Sequence, residues 1–556
     1  MTLPTSIRTA VCAAAITKVT RLFNGTIADV LNELLQNARR AGASRVDLVN
    51  ISVAGVPILI VSDDGTGIDD PADIVTLGQS GWDDDMLRRE DPAGMGVFSL
   101  AGHHVEIRSY SRASGAGWRV AIPKNAWETS ATLVVEPFPI DAGTEIHIAL
   151  PEAWETALDA AANIAALYYP LPITLNGEPL RRANFLENAI YTEEVAGVRI
   201  GVFQDRTGTA RDSLINFHGL QVQHRLPIIV EKRTTWHWRV RVDIIDAPQL
   251  QLVLPARKEM VQNDGLATLA EHAERAIYRA IAAQPSHRLA FRNWERAKAL
   301  GVVLPECEPG LEAWTPITGN GQRDGGERVR TGMLILVPSY EAYIEQSVAR
   351  ALADAATTLP GRLVHAEPSF EGYGWYDSLP IISDLRFLIE RKGIAYEATG
   401  EDTLPGEMES GPVDAMSLTL AIDPSTLSAS VPERITIPAN MMIDTRGLYC
   451  GVDDVILLWT KHTPLEIDDA VDFMERACFC YDDDCSSDSY DTQIYDFREE
   501  AHRLACELLL TGDQAALLGI ERAFQRTIQW LIPEGRTLSI TATRGTANLT
   551  FGQVTT

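Results

Sequence analysis

The sequence predicts an α+β protein of several domains, and three observations support this. Residues 26–42 place apolar side chains at helical spacing. Segments between residues 45 and 148 alternate or run apolar over strand-like lengths. A Gly-rich, charged stretch at 318–330 separates two halves. We expect an α/β sandwich over 1–165, an α+β coupling domain over 166–290, a linker over 291–330 and a mixed α/β domain over 331–556.

Composition indicates a globular chain with an acidic second half. Of the 556 residues, 46% are hydrophobic and 22% are charged, which is typical of folded domains. The net charge is −28, divided as 30 basic against 35 acidic residues in 1–300 and 18 against 41 in 301–556. Because the acidic half repels phosphate backbones, nucleic acid is an unfavourable partner for it.

Cysteine usage and hydropathy predict a cytoplasmic protein. Seven cysteines in a chain of this length argue for a reducing compartment. The apolar stretch at 10–16 is too short for the core of a signal peptide, and no segment is long and apolar enough for a membrane span. We therefore expect a soluble protein that does not enter a membrane.

The segment TIADVLNELLQNARRAG predicts an amphipathic helix. Thr26 is suited to its N-cap and Gly42 to a left-handed stop after its last turn. Glu33 and Asn37 stand four residues apart on one face. A carboxylate and a carboxamide in this arrangement can hold a water molecule and a divalent cation side by side. The alternative is an ordinary polar pair on the surface of the helix.

The strand that follows ends in polar residues. The run at 56–62 is continuously apolar, as expected of a central strand buried on both faces, and it leads directly into Asp63. Gly65 and Gly67 permit a close backbone approach that a side chain would block. Further on, the glycine pair in 93–99 opens a helix whose N-terminus is suited to phosphate. These features predict the edge of a binding pocket.

These motifs resemble those of the Bergerat-fold (GHKL) ATPases, the superfamily of gyrase, the ninety-kilodalton heat-shock chaperones, histidine kinases and MutL-type repair proteins. The resemblance rests on four motifs in order: Glu33 with Asn37, Asp63-x-Gly65-x-Gly67, Gly94-x-Gly96 and Gly143-Thr144. The glycine box AGMGVFSLA is most similar to the chaperone version. The resemblance covers the chain to about residue 290 and implies ATP and Mg²⁺ as ligands.

The resemblance also implies roles for individual residues. Glu33 would be the general base that activates water, and Asn37 would reach Mg²⁺. Asp63 would accept the adenine amino group, supported by Thr144 through a buried water. The residues implied at the phosphates are Ser80, Gly94, Gly96 and Val97, of which Ser80 lies in a lid over 76–91.

One departure from the family pattern concerns the end of the predicted helix. Where the family usually has Asp-Ala after the asparagine motif, this chain has Arg39-Arg40-Ala41. The contact that the acidic residue makes near the purine is therefore in question. The alternative for Arg40 is a solvated position at the helix end, favoured by the helix dipole.

The second domain carries a loop with a related sequence. Its segment KEMVQ is similar to the chaperone pattern Arg-Glu-Met-Leu-Gln. The resemblance implies that Lys258 contacts the γ-phosphate and that Gln262 lies beside it, with Arg257 as the second choice. A lysine suits a terminal phosphate as a point charge. The alternative is a loop with ordinary surface charges.

The acidic half has no recognised family. Segments 340–357, 381–392, 464–478, 498–510 and 513–531 are predicted helices, 536–551 is a predicted closing hairpin, and Trp530 is predicted to be a core residue. A zinc site is one interpretation of Cys478, Cys480, Cys485, His502 and Cys506. Because no Cys-x-x-Cys pair is present, the favoured interpretation is ordinary thiols beside an acidic loop, without stoichiometric metal.

Taken with the resemblance, these features predict an ATP-hydrolysing, chaperone-like conformational machine. ATP would close a homodimer, with Lys258 as the latch and segment 5–19 exchanged between subunits. This closure would control either an unspecified protein partner or client or the acidic domain, which would be an effector or assembly domain. Two alternatives stay open. One is a nucleotide-binding sensor with negligible turnover; the other is a DNA-acting relative of MutL or topoisomerase, for which no nuclease or Toprim metal site is found in the sequence.

Overall fold

The computed structural model describes residues 25–74, 100–129, 131–206, 214–232, 236–253, 259–355, 359–400, 404–405, 407–425, 432–445, 452, 455–481 and 489–553. The chain divides into two compact units, Met1–Cys307 and Glu308–Thr556. Helices and strands both contribute extensively to each unit, so the predicted α+β class is confirmed.

The first sheet of the first unit has eight strands in the order β5-β4-β3-β6-β2-β1-β7-β8. All neighbours are antiparallel except β1 and β7, which are parallel. The strands are β1 Val46–Val53, β2 Val56–Asp63, β3 Val105–Ser111, β4 Ala116–Ile122, β5 Val135–Pro137, β6 Thr144–Ala149, β7 Ile173–Leu175 and β8 Glu178–Pro179.

Helices cover one face of this sheet. The described helices here are α1 Ile27–Arg40, the short α2 Ala126–Thr129 and α3 Glu152–Ala166, with a 3₁₀ turn at Pro71–Ile74. The apolar stripe of α1 is fully buried, and Leu31 and Leu35 share one core with Leu48, Leu59 and Ile107 of the sheet. The predicted amphipathic helix is confirmed.

Strand β2 is central, as predicted, but it is not buried on both faces. Within Val56–Asp63 only Leu59 and Val61 are buried, and Val56 is 47% exposed. The reason is its antiparallel setting between β1 and β6. An antiparallel sheet covered by helices on one face buries alternate residues only.

The second sheet of the first unit has the order β12-β11-β14-β10-β9, with β13 also paired to β14. Its strands are β9 Tyr191–Val195, β10 Val198–Arg206, β11 Leu214–Phe217, β12 Leu220–Gln223, β13 Ile229–Val230 and β14 Trp236–Ile244. Helices α4 Asp264–Ala282 and α5 Phe291–Ala299 pack on it and share its core.

The second unit is built on a sheet of order β18-β17-β19-β22-β23, to which β20 adds beside β19, and a smaller sheet of order β21-β25-β24. The strands of the unit are β15 Leu311–Glu312, β16 Arg328–Val329, β17 Leu334–Val337, β18 Arg362–His365, β19 Ile381–Arg391, β20 Ile394–Thr399, β21 Gly411–Val413, β22 Ala415–Asp423, β23 Glu433–Pro438, β24 Met441–Asp444, β25 Ile456–Thr460, β26 Arg536–Thr543 and β27 Thr546–Gln553.

The helices of the second unit are α6 Ala342–Asp354, α7 Gly374–Asp377, α8 Ile467–Cys478, α9 Tyr490–Leu509 and α10 Gly512–Thr527, with 3₁₀ turns at Pro368–Phe370 and Gln529–Leu531. Four of the five predicted helices are confirmed in type, although α9 begins eight residues before the predicted start at 498. No helix in the described part of the chain is long and apolar enough to cross a membrane.

The predicted helix at 381–392 is wrong, because Ile381–Arg391 forms the central strand β19. The register of β19 with β22 shifts between Ile382 and Asp384, which marks a β-bulge. The extra residue changes the spacing between the buried Ile382 and the next buried residue, Leu385, from two to three. Apolar residues at 382, 385 and 389 therefore imitate a helical period.

The Gly-rich stretch at 318–330, which was predicted to lie in a linker, is instead part of the second unit. Arg323 Nη2 donates to Glu345 Oε1 at 2.9 Å, and Glu345 is 1% exposed. A Cβ added to Gly319 would lie 2.4 Å from the Phe479 carbonyl oxygen, so this glycine permits close packing. The prediction that Trp530 is a core residue is also wrong, since its side chain is 74% exposed.

Candidate functional site

Three side chains on adjacent strands meet at one end of the first sheet. Asp63 is the last residue of β2 and lies directly opposite Thr144 of β6, which in turn lies opposite Ser109 of β3. Directly opposed residues in antiparallel strands place their Cβ atoms ~4.5–5.5 Å apart on one face. The predicted proximity of Asp63 and Thr144 thus follows from the strand register.

The hydroxyl groups of Ser109 and Thr144 form a buried pair. Their oxygens are 2.8 Å apart, and the two residues are 0% and 6% exposed. The Ile68 N–H donates to Ser109 Oγ at 2.9 Å, and Ser109 Oγ also lies 3.2 Å from the Gly143 carbonyl. Each hydroxyl has one proton but two lone pairs, so the pair can supply either a donor or an acceptor to a further group.

Ser109 is a site residue that sequence reasoning missed. Strand β3 buries every second residue, and the buried positions alternate as Val105, Ile107, Ser109 and Ser111. The available signal was a serine at a position where the alternation predicts a buried apolar residue. Because buried polar groups require hydrogen-bond partners, such a residue indicates a polar environment behind the sheet.

Asp63 carries a perturbed carboxyl group. Its side chain is half-buried, and its Oδ1 accepts from the Gly65 N–H at 2.9 Å. Burial raises the pKa of Asp63 to about 6, a rise which the Gly65 hydrogen bond opposes and the neighbouring charge of Asp64 augments. The group is therefore mostly ionised at neutral pH and can accept a further hydrogen bond.

The glycines after β2 are required by contacts within the protein. A Cβ on Gly65 would lie 2.8 Å from the carbonyl oxygen of Ala41, and one on Gly67, whose φ is +76°, would lie 2.1 Å from the Tyr110 carbonyl oxygen. The Thr66 N–H donates to the Ala41 carbonyl at 2.8 Å. The close approach predicted for these glycines is therefore made by protein backbone, which holds the Asp63 turn against the end of α1.

Helix α1 presents Glu33 and Asn37 as predicted, four residues apart and both half-buried. Thr26 Oγ1 accepts from the Asp29 N–H at 3.2 Å, and Gly42 has a φ of +68°, so the predicted cap and stop are confirmed. Ala41 directly follows α1, and its carbonyl accepts from the Thr66 N–H in the turn after Asp63. This hydrogen bond connects the helix that carries Glu33 and Asn37 to the Asp63 turn.

Arg40 does not take the solvated position at the helix end that was the alternative for it. Arg40 is only 9% exposed, and its Nη1 donates to Asn37 Oδ1 at 3.2 Å. A buried guanidinium thus lies beside the asparagine at the end of α1. The residue is part of the site and not of the solvated surface.

Helix α1 also contacts the second sheet through Gln36, which is three residues after Glu33. Gln36 is 5% exposed, and its Nε2 donates to the His218 carbonyl at 2.9 Å. The Tyr169 hydroxyl donates to the Leu35 carbonyl at 2.5 Å, and burial raises the pKa of Tyr169, which keeps it neutral. His218 and Gly219 form the β11–β12 turn with φ of +52° and +100°. The helix between Glu33 and Asn37 is therefore held by a buried contact with the β11–β12 turn of the second sheet.

Of the remaining predicted site residues, only Gln262 lies within the described structure. Gln262 is exposed and follows the isolated bridge between Leu252 and Met260, where its Nε2 is 3.5 Å from the Met260 carbonyl. No described contact joins it to the Asp63 turn. The residues predicted at the phosphates (Ser80, Gly94, Gly96, Val97), the predicted lid, segment 5–19, Arg257 and Lys258 fall outside the described residues.

The cysteine cluster of the second unit is partly described. Cys506 Sγ lies 3.3 Å from His502 Nδ1, and both residues are buried. Cys478 is buried and Cys480 is exposed, whereas Cys485 lies outside the described residues. Within the described ranges, no three His, Cys, Asp or Glu side chains converge in a way that could hold a metal ion.

Comparison of the chain with protein-family models and with curated proteins gives no match. A functional assignment therefore depends on the residues of the site. Its distinctive parts are the half-buried Asp63 carboxylate, the Ser109–Thr144 hydroxyl pair beside it, and the face of α1 that carries Glu33 and Asn37.

Proposed function

We propose that this chain binds and hydrolyses ATP as a Bergerat-fold (GHKL) ATPase and works as a chaperone-like conformational machine. The observation that carries the proposal is the Asp63 carboxylate, half-buried and next to a buried hydroxyl pair at the end of a central strand. Burying a carboxylate is costly unless a ligand or a protein group uses it, so such a group marks a functional site.

Adenine suits this set of groups. Its exocyclic amino group is a donor, which a carboxylate accepts, whereas guanine presents a carbonyl oxygen at the equivalent position. An ionised Asp63 would repel that oxygen. The Ser109–Thr144 pair can add a donor to a ring nitrogen, either directly or through water. We infer a preference for ATP over GTP.

Glu33 and Asn37 supply the chemistry in this proposal. Glu33 takes a proton from the attacking water, and Asn37 offers an amide oxygen, a ligand type that Mg²⁺ accepts. When bound, Mg²⁺ neutralises charge on the phosphates. Ser80, Gly94, Gly96 and Val97 are proposed to contact the phosphates, and Lys258 and Gln262 to complete the site from the second domain.

The contact between α1 and the β11–β12 turn supports coupling of hydrolysis to domain movement. The Gln36 side chain lies between Glu33 and Asn37 in sequence and reaches the His218 carbonyl in the second domain. A shift of that domain would move the helix that carries the general base. We propose that ATP favours a closed homodimer because the γ-phosphate pairs with Lys258 only in that state.

Nucleotide titration of the full chain tests the proposal. We expect saturable ATP binding by calorimetry, weaker binding of GTP, and Mg²⁺-dependent release of phosphate. The adenine preference should persist with ADP against GDP, since the base contacts do not involve the γ-phosphate. Absence of binding by all adenine nucleotides would contradict the proposal, and equal affinity for ATP and GTP would contradict the role of Asp63.

A latch experiment separates Lys258 from its neighbour. Lys258→Ala should retain ATP binding but lose hydrolysis and the compaction that a non-hydrolysable ATP analogue induces in small-angle scattering. Arg257→Ala is the matched control and should keep both. Full compaction in Lys258→Ala, or equal loss in both variants, would show that Lys258 is not the latch.

A nucleotide sensor with negligible turnover is the second candidate, and Arg40 favours it. Its guanidinium donates to Asn37 Oδ1, the atom proposed to face Mg²⁺. A cation at that atom opposes a divalent ion there. If the chain is a sensor, ATP binding will not require Mg²⁺, and turnover will stay near zero in the wild type. Arg40→Ala should then increase Mg²⁺-dependent turnover, whereas Arg39→Ala, which removes a neighbouring guanidinium, should not.

A further inference from the structure

A cavity of about 320 Å³ lies between β13, α4 and the first turn of α5 in the first unit. Residues of the segment 227–232 line it together with side chains of the two helices. Its volume is at the lower end of the ~300–1,000 Å³ range of small-molecule sites. None of its described lining residues belongs to the set proposed to bind ATP, so the cavity needs an explanation of its own.

Tyr278 of α4 is the most buried polar residue of this lining. It is 1% exposed, and the only hydrogen bond of its hydroxyl in the described structure is a contact of 3.4 Å with Glu274 Oε1. Hydrogen bonds between two oxygens are normally ~2.5–3.0 Å long, so this contact leaves the hydroxyl poorly satisfied. Burial raises the pKa of Tyr278, a rise that the nearby charge of Arg292 opposes. The hydroxyl therefore keeps its proton and can donate it to a further acceptor.

Glu274 does not make the cavity acidic. Arg296 Nη2 donates to Glu274 Oε2 at 2.9 Å, and Arg296 Nε lies 3.2 Å from Oε1. This bidentate pairing neutralises the carboxylate. The other two charged side chains of the lining, Lys232 and Arg292, are both basic. The cavity therefore favours an anion.

Arg292 and Asn293 of α5 can both donate to such an anion. Arg292 is exposed and Asn293 is half-buried, and neither side chain makes a hydrogen bond or an ion pair in the described structure. A guanidinium presents its donors in a planar fork that matches a carboxylate, and an amide group adds two more donors. Because the charge of Arg292 acts on the Tyr278 hydroxyl, these donors lie close to the buried one.

The rest of the lining is apolar. It consists of Pro227, Ile228, Ile229, Val230 and Ala290, of which Ile228 and Val230 are 50% and 41% exposed. Such walls favour a ligand that carries an apolar body beside its charged group. Inorganic phosphate is disfavoured, because oxygens that face an apolar wall lose their hydration without gaining a donor.

We propose that this cavity binds a small carboxylic acid with a compact apolar body. The carboxylate accepts hydrogen bonds from Arg292, Asn293 and Tyr278. The apolar part packs against Ile228 and Val230. Because the site shares no residue with the ATP site, its occupation does not depend on the proposed ATPase function.

Ligand-observed NMR on the nucleotide-free full chain tests the proposal, with benzoate as the probe. Benzoate should bind with a dissociation constant of ~1 mM or below. Benzamide has the same shape without the charge, and inorganic phosphate has a charge without the apolar body. Each should bind at least ~10-fold more weakly than benzoate. Equal affinity for benzamide, or for phosphate, would overturn the proposed ligand class.

Substitutions at the cavity provide the second measurement. Arg292→Gln should weaken benzoate binding ~10-fold or more, because the charged donors are lost. Tyr278→Phe removes one hydroxyl and should weaken binding ~2- to 10-fold. Lys298→Gln is the matched control: it removes a positive charge from the same helix at a position that does not line the cavity, and it should bind benzoate like the wild type.

Competition with nucleotide separates this proposal from the proposed function. An excess of ADP should not displace benzoate, and benzoate should bind even if the chain binds no nucleotide. Absence of benzoate binding would overturn the proposal. Displacement by ADP, or equal losses in Arg292→Gln and Lys298→Gln, would place the bound benzoate elsewhere and would overturn it too.

Discussion

The two neighbouring carboxylates at the end of β2, Asp63 and Asp64, differ in burial, in hydrogen bonding and in the direction of their pKa shifts. Asp63 faces the sheet and is half-buried, and burial raises its pKa to about 6. Asp64 faces outward, accepts from the Ser44 N–H at 2.6 Å and the Arg45 N–H at 3.2 Å, and also accepts from the Ser44 hydroxyl. The Ser44 hydroxyl bond is the main reason that the pKa of Asp64 is lowered.

The difference supports the proposal that Asp63 belongs to a ligand site, whereas Asp64 stabilises the turn. Asp64 has its hydrogen bonds supplied by the turn between α1 and β1, so its charge stabilises the fold. Asp63 has one backbone N–H from Gly65 and a burial cost that the protein alone does not offset. An incompletely compensated carboxylate beside a hydroxyl pair supports the proposal that Asp63 binds another molecule.

The largest effect should come from a substitution of Glu33. It tests whether the ATP-binding role proposed for Asp63 is separate from catalysis of hydrolysis. Glu33→Ala should reduce ATP turnover roughly 10²–10⁴-fold, because the attacking water loses its general base. ATP affinity should change little, since Asp63 remains. Single-turnover kinetics and titration calorimetry measure the two quantities. Glu33→Gln, which keeps the size of the side chain, should be equally inactive; near-normal hydrolysis in either variant would remove Glu33 from its proposed role.

The next largest effect should come from Asp63→Asn. Loss of the charged acceptor should cost about 1.5–3 kcal/mol of binding, or roughly 10- to 150-fold in ATP affinity. The same change should raise the free energy of unfolding at pH 7.5 by about 1–3 kcal/mol, because a neutral amide has no ionised form to bury and can still accept from Gly65. Urea titration measures the gain. If the variant binds ATP normally, or is less stable than the wild type, the proposed difference in role between Asp63 and Asp64 is wrong.

The pH dependence should follow from the raised pKa of Asp63. Its folded value is about 6 against an ordinary 3.8, so its favourable contribution to stability is fully present below pH 3.8 and is lost as the pH rises through about 6. Binding has the opposite trend, because the ionised form accepts the adenine amino group. From pH 7 to pH 5 we expect ATP affinity to fall about tenfold beyond the fall seen in Asp63→Asn. Parallel pH profiles in the two proteins would contradict the assignment.

The smallest effect should come from Asp64→Ala. The loss of its hydrogen bonds to Ser44 and Arg45 should destabilise the fold by about 1 kcal/mol, since the group is partly exposed to solvent. Its pKa is lowered, so the stability it contributes is present above pH 3.8 and is lost as the pH falls through its folded value. ATP affinity should stay within about twofold. A large loss of affinity with unchanged stability would exchange the roles of the two aspartates.

Local signals in the sequence were sufficient for the framework of the candidate site. Thr26 begins helix α1 and Gly42 ends it, through a hydrogen bond and a backbone angle that involve only near neighbours in the chain. The position of Asp63 at a strand end follows from a local apolar run. Asn176 and Gly177 form the hairpin turn that an Asn-Gly pair favours, with φ of +53° and +83°. Such features are encoded within a few residues, which is why a sequence pattern predicts them.

Predictions from local sequence patterns were wrong where long-range contacts determine the structure. Arg40 is buried beside Asn37, and β19 imitates a helix because a bulge changes its spacing. Neither outcome can be read from neighbours in the chain. The charge of an arginine favours solvent unless distant segments enclose it, and a bulge depends on the strand opposite.

The sequence by itself determined the order of motifs, the type of most elements and the charge difference between the halves. The tertiary structure alone decided that Ser109 joins Thr144, that Gly65 and Gly67 face protein backbone, and that Gln36 reaches the His218 carbonyl. The physical reason is that a residue's burial and its hydrogen-bond partners depend on segments brought together by folding. In the case of Gln36 and His218, the partners are 182 residues apart.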